Sequence, residues 1–162
     1  MMFKKIAIAV PMTVLALSAS MAFAAEPINQ VINIKAFVPT SVFNVAPQND
    51  DFGRDETMKL QGNGDLTSVR GIFNFKHTDP KGAINALIDG DAALYNGRDS
   101  IPLKVKIGTV ELGTTSAEVV NETESVAGIQ REMVITAATP TATQTGDYST
   151  NFAVVFEPVL KP

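Results

Sequence analysis

Residues 28–38 carry Ile28, Ile32, Ile34, Ala36 and Val38 on one parity and Asn29, Asn33 and Lys35 on the other, with Val31 and Phe37 as exceptions. A strand sends alternate side chains to opposite faces, so this stretch predicts a ribbon with one apolar edge and one mostly polar edge. At about 3.3 Å per residue it spans about 36 Å, which is long for a strand in a small domain. Pro39 ends it. Alternation does not tell whose sheet the ribbon joins, and taken alone it favours an ordinary first strand of a closed sandwich.

The rest of the chain repeats short versions of the same pattern. An apolar patch at 42–45 precedes a polar, turn-rich loop at 47–56, a short strand at 58–60 and a turn at 62–65. Residues 66–76 predict a strand with Thr67, Val69, Gly71, Phe73 and Phe75 on one face; Ile72 breaks the rule, implying cover on both faces or a bulge near Gly71. Further strands are predicted at 83–88, at 101–107 with a hairpin into 110–112, at 116–120, at 132–138 and at 152–156. Residues 92–98 predict a short helical turn, 123–128 a polar stretch, and 140–146 a Thr-rich loop. Seven or eight short strands with Gly, Pro, Asn and Asp between them, and no long helical period, indicate an all-β, immunoglobulin-like β-sandwich.

The first 24 residues read as a signal peptide. Lys4 and Lys5 precede an apolar run at 6–17, and Ala22, Phe23 and Ala24 form an A-x-A-type cleavage site, so the mature chain is expected to begin at Ala25. The run is too short for a comfortable membrane span, and no later stretch predicts membrane insertion of the mature chain. Without the two signal lysines, 11 basic residues face 17 acidic ones, a net −6. That balance gives no electrostatic footprint for nucleic acid or for an anionic membrane surface. The absence of cysteine removes thiol nucleophiles and Cys-based metal sites, and leaves the core or a partner to supply stability.

Few residues suggest chemistry. His77, the only histidine, sits beside Asp79 in a predicted turn without a G-x-S-x-G elbow, so it reads as an exposed loop histidine and not half of a catalytic dyad. Asp50, Asp51, Asp55 and Glu56, and separately Asp89 and Asp91, do not have EF-hand spacing and read as solvated loops. Gly62 and Gly64 lack the helix and lysine of a phosphate loop. Asn121, Glu122 and Thr123 fit a glycosylation sequon. Tyr148 reads as a corner tyrosine tying a loop to the sandwich, with receptor contact as the other role for it. No catalytic site, cofactor or metal is expected.

Three segments resemble the major subunits of class 5, or alpha, fimbriae, the colonization-factor-antigen type pilins of the chaperone–usher pathway. They are 32–38 followed by proline; 81–89 with 100–108, 110–112 and Thr114-Thr115; and 132–138 with Gly146, Asp147, Tyr148 and Ser149 before a closing strand. Their order and spacing agree along nearly the whole mature chain. The resemblance implies an immunoglobulin-like sandwich lacking one strand (40–162), preceded by a donor-strand extension (25–39). On that reading the ribbon, through Ile28, Ile32, Ile34, Ala36 and Val38, completes a neighbouring subunit in a homopolymer. It also implies a periplasmic chaperone, an outer-membrane usher and a minor tip adhesin as partners, export through the periplasm to a fimbrium at the cell surface, and support of adhesion to host surfaces. The physics agrees: a sandwich short of a strand exposes core side chains and a row of unpaired backbone groups, and strand addition satisfies both. The alternative is a monomeric secreted β-sandwich that binds carbohydrate or protein. A secreted hydrolase lacks any nucleophile–base constellation.

Overall fold

At residues 100–107 the predicted alternation is obeyed throughout: Ile101, Leu103, Val105 and Ile107 are buried while Ser100, Pro102, Lys104 and Lys106 are exposed. The structure, a computed structural model, describes residues 43–162. The predicted signal peptide and ribbon, with Ile28, Ile32, Ile34, Ala36 and Val38, lie outside the described residues. The described chain forms β1 (Phe43–Pro47), β2 (Val69–His77), β3 (Gly82–Asp89), β4 (Ala93–Tyr95), β5 (Ser100–Ile107), β6 (Val110–Leu112), β7 (Ala117–Val120), α1 (Glu122–Ala127), β8 (Ile129–Ala137) and β9 (Ala153–Leu160).

The larger sheet runs β1-β2-β8-β5-β4 with β6 hairpinned to β5, and the smaller runs β7-β3-β9. All pairings are antiparallel. Sequence-distant neighbours, β2 with β8 and β3 with β9, and two sheets sharing one core make an immunoglobulin-like sandwich. The core draws Phe73 and Phe75 from β2, Ile84, Ala86 and Ile88 from β3, Val105 and Ile107 from β5, and Met133 from β8. Phe156 of β9 bridges the sheets, its ring centroid 5.9 Å from Phe73 and 5.6 Å from Phe75.

Several local expectations change. Residues 92–98 hold no helical turn: Ala93–Tyr95 pairs with β5, Tyr95 opposite Ser100, and that pairing outweighs weak local propensity. The polar stretch at 123–128 is instead helix α1, capped by the Asn121 side chain. Residues 58–60 form no strand, only an isolated bridge from Leu60 to Leu66. β8 begins at Ile129 and β9 continues to Leu160, beyond the apolar alternation at either place. Ile72 points outward and is 44% exposed, while β2 keeps an unbroken register with β8 from Val69 to Phe75. Neither double cover nor a bulge is involved; Gly71 faces inward and leaves room for the ring of Phe52.

Candidate functional site: the groove beside the last strand

β9 pairs with β3 from Ala153 opposite Asp89 to Leu160 opposite Gly82, and among the described residues no strand pairs with its other edge. Pro158 within it suits an edge position, since proline offers no N–H to a second ladder. On β3 the inward residues Ile84, Ala86 and Ile88 are fully packed. Their counterparts across the ladder fare differently. Val154, opposite Ile88, and Phe156, opposite Ala86, are only half-buried, as is Phe152 just before the strand. The core therefore lies open along β9.

Above it is a groove of about 1140 Å³. Its floor is the inner face of the larger sheet, with Val69 and Phe73 of β2, Leu103 of β5, and Met133 and Ile135 of β8. Phe152, Val154 and Phe156 form one wall; Phe52 and Leu66 from the segment between β1 and β2 form the other. Phe52 is anchored edge-on to Phe73, with centroids 5.3 Å apart and planes at 89°. The rim is polar and includes Glu56, Thr141, Gln144 and Asp147. Gln144 is held by the Ser100 carbonyl, which accepts from its Nε2 at 3.0 Å. Small-molecule pockets run to about 1,000 Å³ and enclose their ligand. A groove of this size, beside an unpartnered strand edge, has the chemistry to take an extended apolar segment, through ladder hydrogen bonds and side-chain pockets.

Tyr148 also lines the groove, and its Oη is buried without a hydrogen-bond partner. The expected corner-tyrosine tie is thus absent: the ring packs, but the hydroxyl ties nothing. Near the same end the Arg98 guanidinium donates two bonds to Asp99 Oδ2, at 3.0 and 2.8 Å, which raises its already high pKa.

Other sequence candidates fall elsewhere. His77 is not exposed; at 1% exposure it is packed against Gly82 and Phe43, and its Nδ1 accepts from the Asp79 backbone N–H at 3.1 Å. In the first acidic cluster Asp51 pairs with Arg54 at 2.9 Å. Among the described residues no three His, Cys, Asp or Glu side chains gather where they could hold a metal. The Asn121 side chain is engaged in capping α1. Ile28, Ile32, Ile34, Ala36 and Val38 lie outside the described residues. The groove residues were not singled out from sequence. Alternation at Phe152, Val154 and Phe156 marks a strand face, but half-burial depends on which strands pair beside it, and among the described residues only β3 does.

A family model, CS1 type fimbrial major subunit, matches residues 28–157. The chain belongs to this family. It is a structural subunit of a fimbria, a surface filament built by polymerisation of such subunits. The fold is similar to that of the CooA pilin subunit from enterotoxigenic Escherichia coli, with a TM-score of 0.60 and 13% identity over 72% of this chain and 87% of that one. No curated protein matches the fimbrial subunit significantly in sequence.

Proposed function

We propose that this fimbrial subunit assembles by donor-strand complementation: the groove beside β9 receives residues 28–38 of a neighbouring copy. The observation that carries the reading is the combination of a β9 edge that is unpartnered among the described residues with half-buried Val154 and Phe156. The ribbon has what the groove lacks. Its backbone can extend the β7-β3-β9 sheet, and Ile28, Ile32, Ile34 and Val38 can each contribute about 1.5–3 kcal/mol on full burial. Ala36 is the small side chain of that row. The domain organisation follows as a signal peptide at 1–24, a donor extension at 25–39 and an acceptor sandwich at 40–162.

A groove on one copy that takes the extension of another is a head-to-tail contact, which grows into a fibre and does not close. Before assembly the open core would aggregate unless covered, which gives a periplasmic chaperone its task and an outer-membrane usher the exchange step. A minor tip adhesin and attachment to host surfaces complete the proposal, and the role is structural, not enzymatic. Mature protein lacking residues 25–38 is expected to form no filaments under conditions where the intact chain does. Filament growth from the truncated chain, seen by negative-stain microscopy, would overturn the reading.

A further inference from the structure

The edge of β9 that no strand pairs among the described residues carries Pro158, and the register of β9 fixes which way its backbone nitrogen points. In an antiparallel ladder the N–H and C=O of one residue face the same neighbour, and successive residues face opposite neighbours. The Ile88 N–H donates to the Gly113 carbonyl at 2.7 Å and so not to β9. Its cross-strand partner Val154 therefore turns its own N–H and C=O away from β3. At the far end the Lys161 N–H donates to the Lys81 carbonyl at 2.9 Å, as the opposite parity requires. The register runs without a shift from Ala153 opposite Asp89 to Leu160 opposite Gly82, so Val154, Phe156, Pro158 and Leu160 all turn their backbone groups to the outer edge. Val154, Phe156 and Leu160 each offer an N–H there. Pro158 has none, and its ring carbon Cδ stands where that hydrogen would be, in the path of a partner's carbonyl oxygen.

The side chains stop at the same place. Phe152, Val154 and Phe156 line the groove, whereas Pro158 and Leu160, next in the same row, do not line it and are exposed. We infer that Pro158 is a register stop: it ends the strand-accepting edge of β9 after Phe156 and limits how far toward the chain end the ribbon of a neighbouring copy can pair. The inference rests on the strand-acceptor reading of the groove. A stop is needed because a slip by two residues keeps every apolar side chain of a ribbon on the inner face, so alternation alone does not choose between such registers. A slip toward the chain end sets a ribbon carbonyl against the Pro158 ring and leaves it without a donor, while Val154 and Phe156 can donate to the ribbon in full.

The test is amide hydrogen exchange in assembled filaments of the mature chain, quenched, dissolved and read residue by residue by NMR. In wild-type filaments the Val154 and Phe156 amides are expected to exchange at least about a hundredfold more slowly than in the unfolded chain, and the Leu160 amide within about tenfold of it. The Lys161 amide, bonded to Lys81, is the slow internal control. In filaments of P158V the new amide at position 158 and that of Leu160 are expected to join the slow set. Should P158V not fold or assemble, Pro158→Ala is read the same way. A slow Leu160 amide in the wild type, or one that stays fast in the variant, overturns the register stop alone. Loss of assembly in both variants also overturns it, since removing a stop leaves the joint intact. Fast exchange at Val154 and Phe156 in wild-type filaments overturns the strand-acceptor reading, and the stop with it.

Discussion

The imidazole of His77 lies against the backbone of Gly82, so close that a β-carbon on Gly82 would stand 2.0 Å from Nδ1. The turn that carries the chain from the larger sheet to the smaller is built around this contact. The Asp79 N–H donates to His77 Nδ1, the Gly82 N–H donates to the Asp79 carbonyl at 2.9 Å, and the Ser125 hydroxyl donates to the Gly82 carbonyl. Both residues are buried, so neither can move aside. Gly82→Ala is therefore expected to overpack the turn and destabilise the fold by about 1–3 kcal/mol. Urea denaturation measures it; an unchanged midpoint would mean that His77 can swing away at no cost.

Strands with strict alternation were legible in the sequence, and β5 is the clearest: its Lys104 and Lys106 alternate with Val105 and Ile107 because one face is core and the other water. His77 was not legible, because a lone histidine in a turn looks exposed until a glycine five residues on provides the socket. β4 was misread because three residues carry no period and pairing with β5 decides their conformation. The groove escaped for a different reason. Phe152, Val154 and Phe156 look like any core-facing strand, and their incomplete burial goes with an edge of β9 that no strand pairs among the described residues, which a local pattern does not encode.

The helix α1 was hidden by a competing reading of its capping residue. Asn121 Oδ1 accepts from the Glu124 N–H at 3.0 Å while its Nδ2 donates to Glu124 Oε2 at 2.9 Å, a reciprocal cap. Glu124 is in turn gripped by Arg131 Nη2, at 2.8 Å to each carboxylate oxygen, which ties the helix start to β8. Asn121→Ala is expected to cost about 0.5–2 kcal/mol, with Asn121→Ser, which keeps an acceptor oxygen without setting a second carboxylate against Glu124, closer to wild type. Thermal melts of the two variants check this; equal losses would show that the cap is not what matters at this position.

Lys161 closes the chain by reaching Glu118 at 2.9 Å and Glu122 at 2.6 Å, fastening the end of β9 to β7 and α1. The hydrogen bond from Lys161 holds the Glu122 carboxyl below its ordinary 4.5, and the same contacts, Glu122 first, raise the Lys161 ammonium above its ordinary 10.5. The Glu122 share of stability is full above 4.5 and disappears as pH falls through the lowered folded value. The Lys161 share is full below 10.5 and disappears as pH rises through the raised one. The clamp therefore acts across the neutral range and releases at both extremes. The melting-temperature difference between wild type and Lys161→Met is expected to be constant from pH 6 to 9, in approximate terms set by those two ordinary values, and to shrink on acidification below about 4.5. A difference that does not change with pH would show that the methylene stem, and not the charge, holds the strand end.

If the donor-strand proposal holds, donor and acceptor belong to different parts of one chain and can be broken separately. Ile34→Asp places a charge on the apolar edge of the ribbon and leaves the groove intact; the same change at Asn33, on the polar edge, is expected to be mild. Val154→Glu places a charge on the half-buried wall of β9 and leaves the ribbon intact. Burying an unpaired carboxylate costs several kcal/mol, enough to abolish either partnership. Each of I34D and V154E is expected to form no filaments by itself. Mixed, the ribbon of V154E can enter the groove of I34D, but the ribbon of I34D and the groove of V154E are both spoiled, so growth stops after one step. The expected product is a one-to-one heterodimer, read by native mass spectrometry. Filaments in the mixture would place the assembly contact somewhere other than this ribbon and this groove, and a failure to form any dimer would show that the two substitutions do not act on complementary halves of one joint.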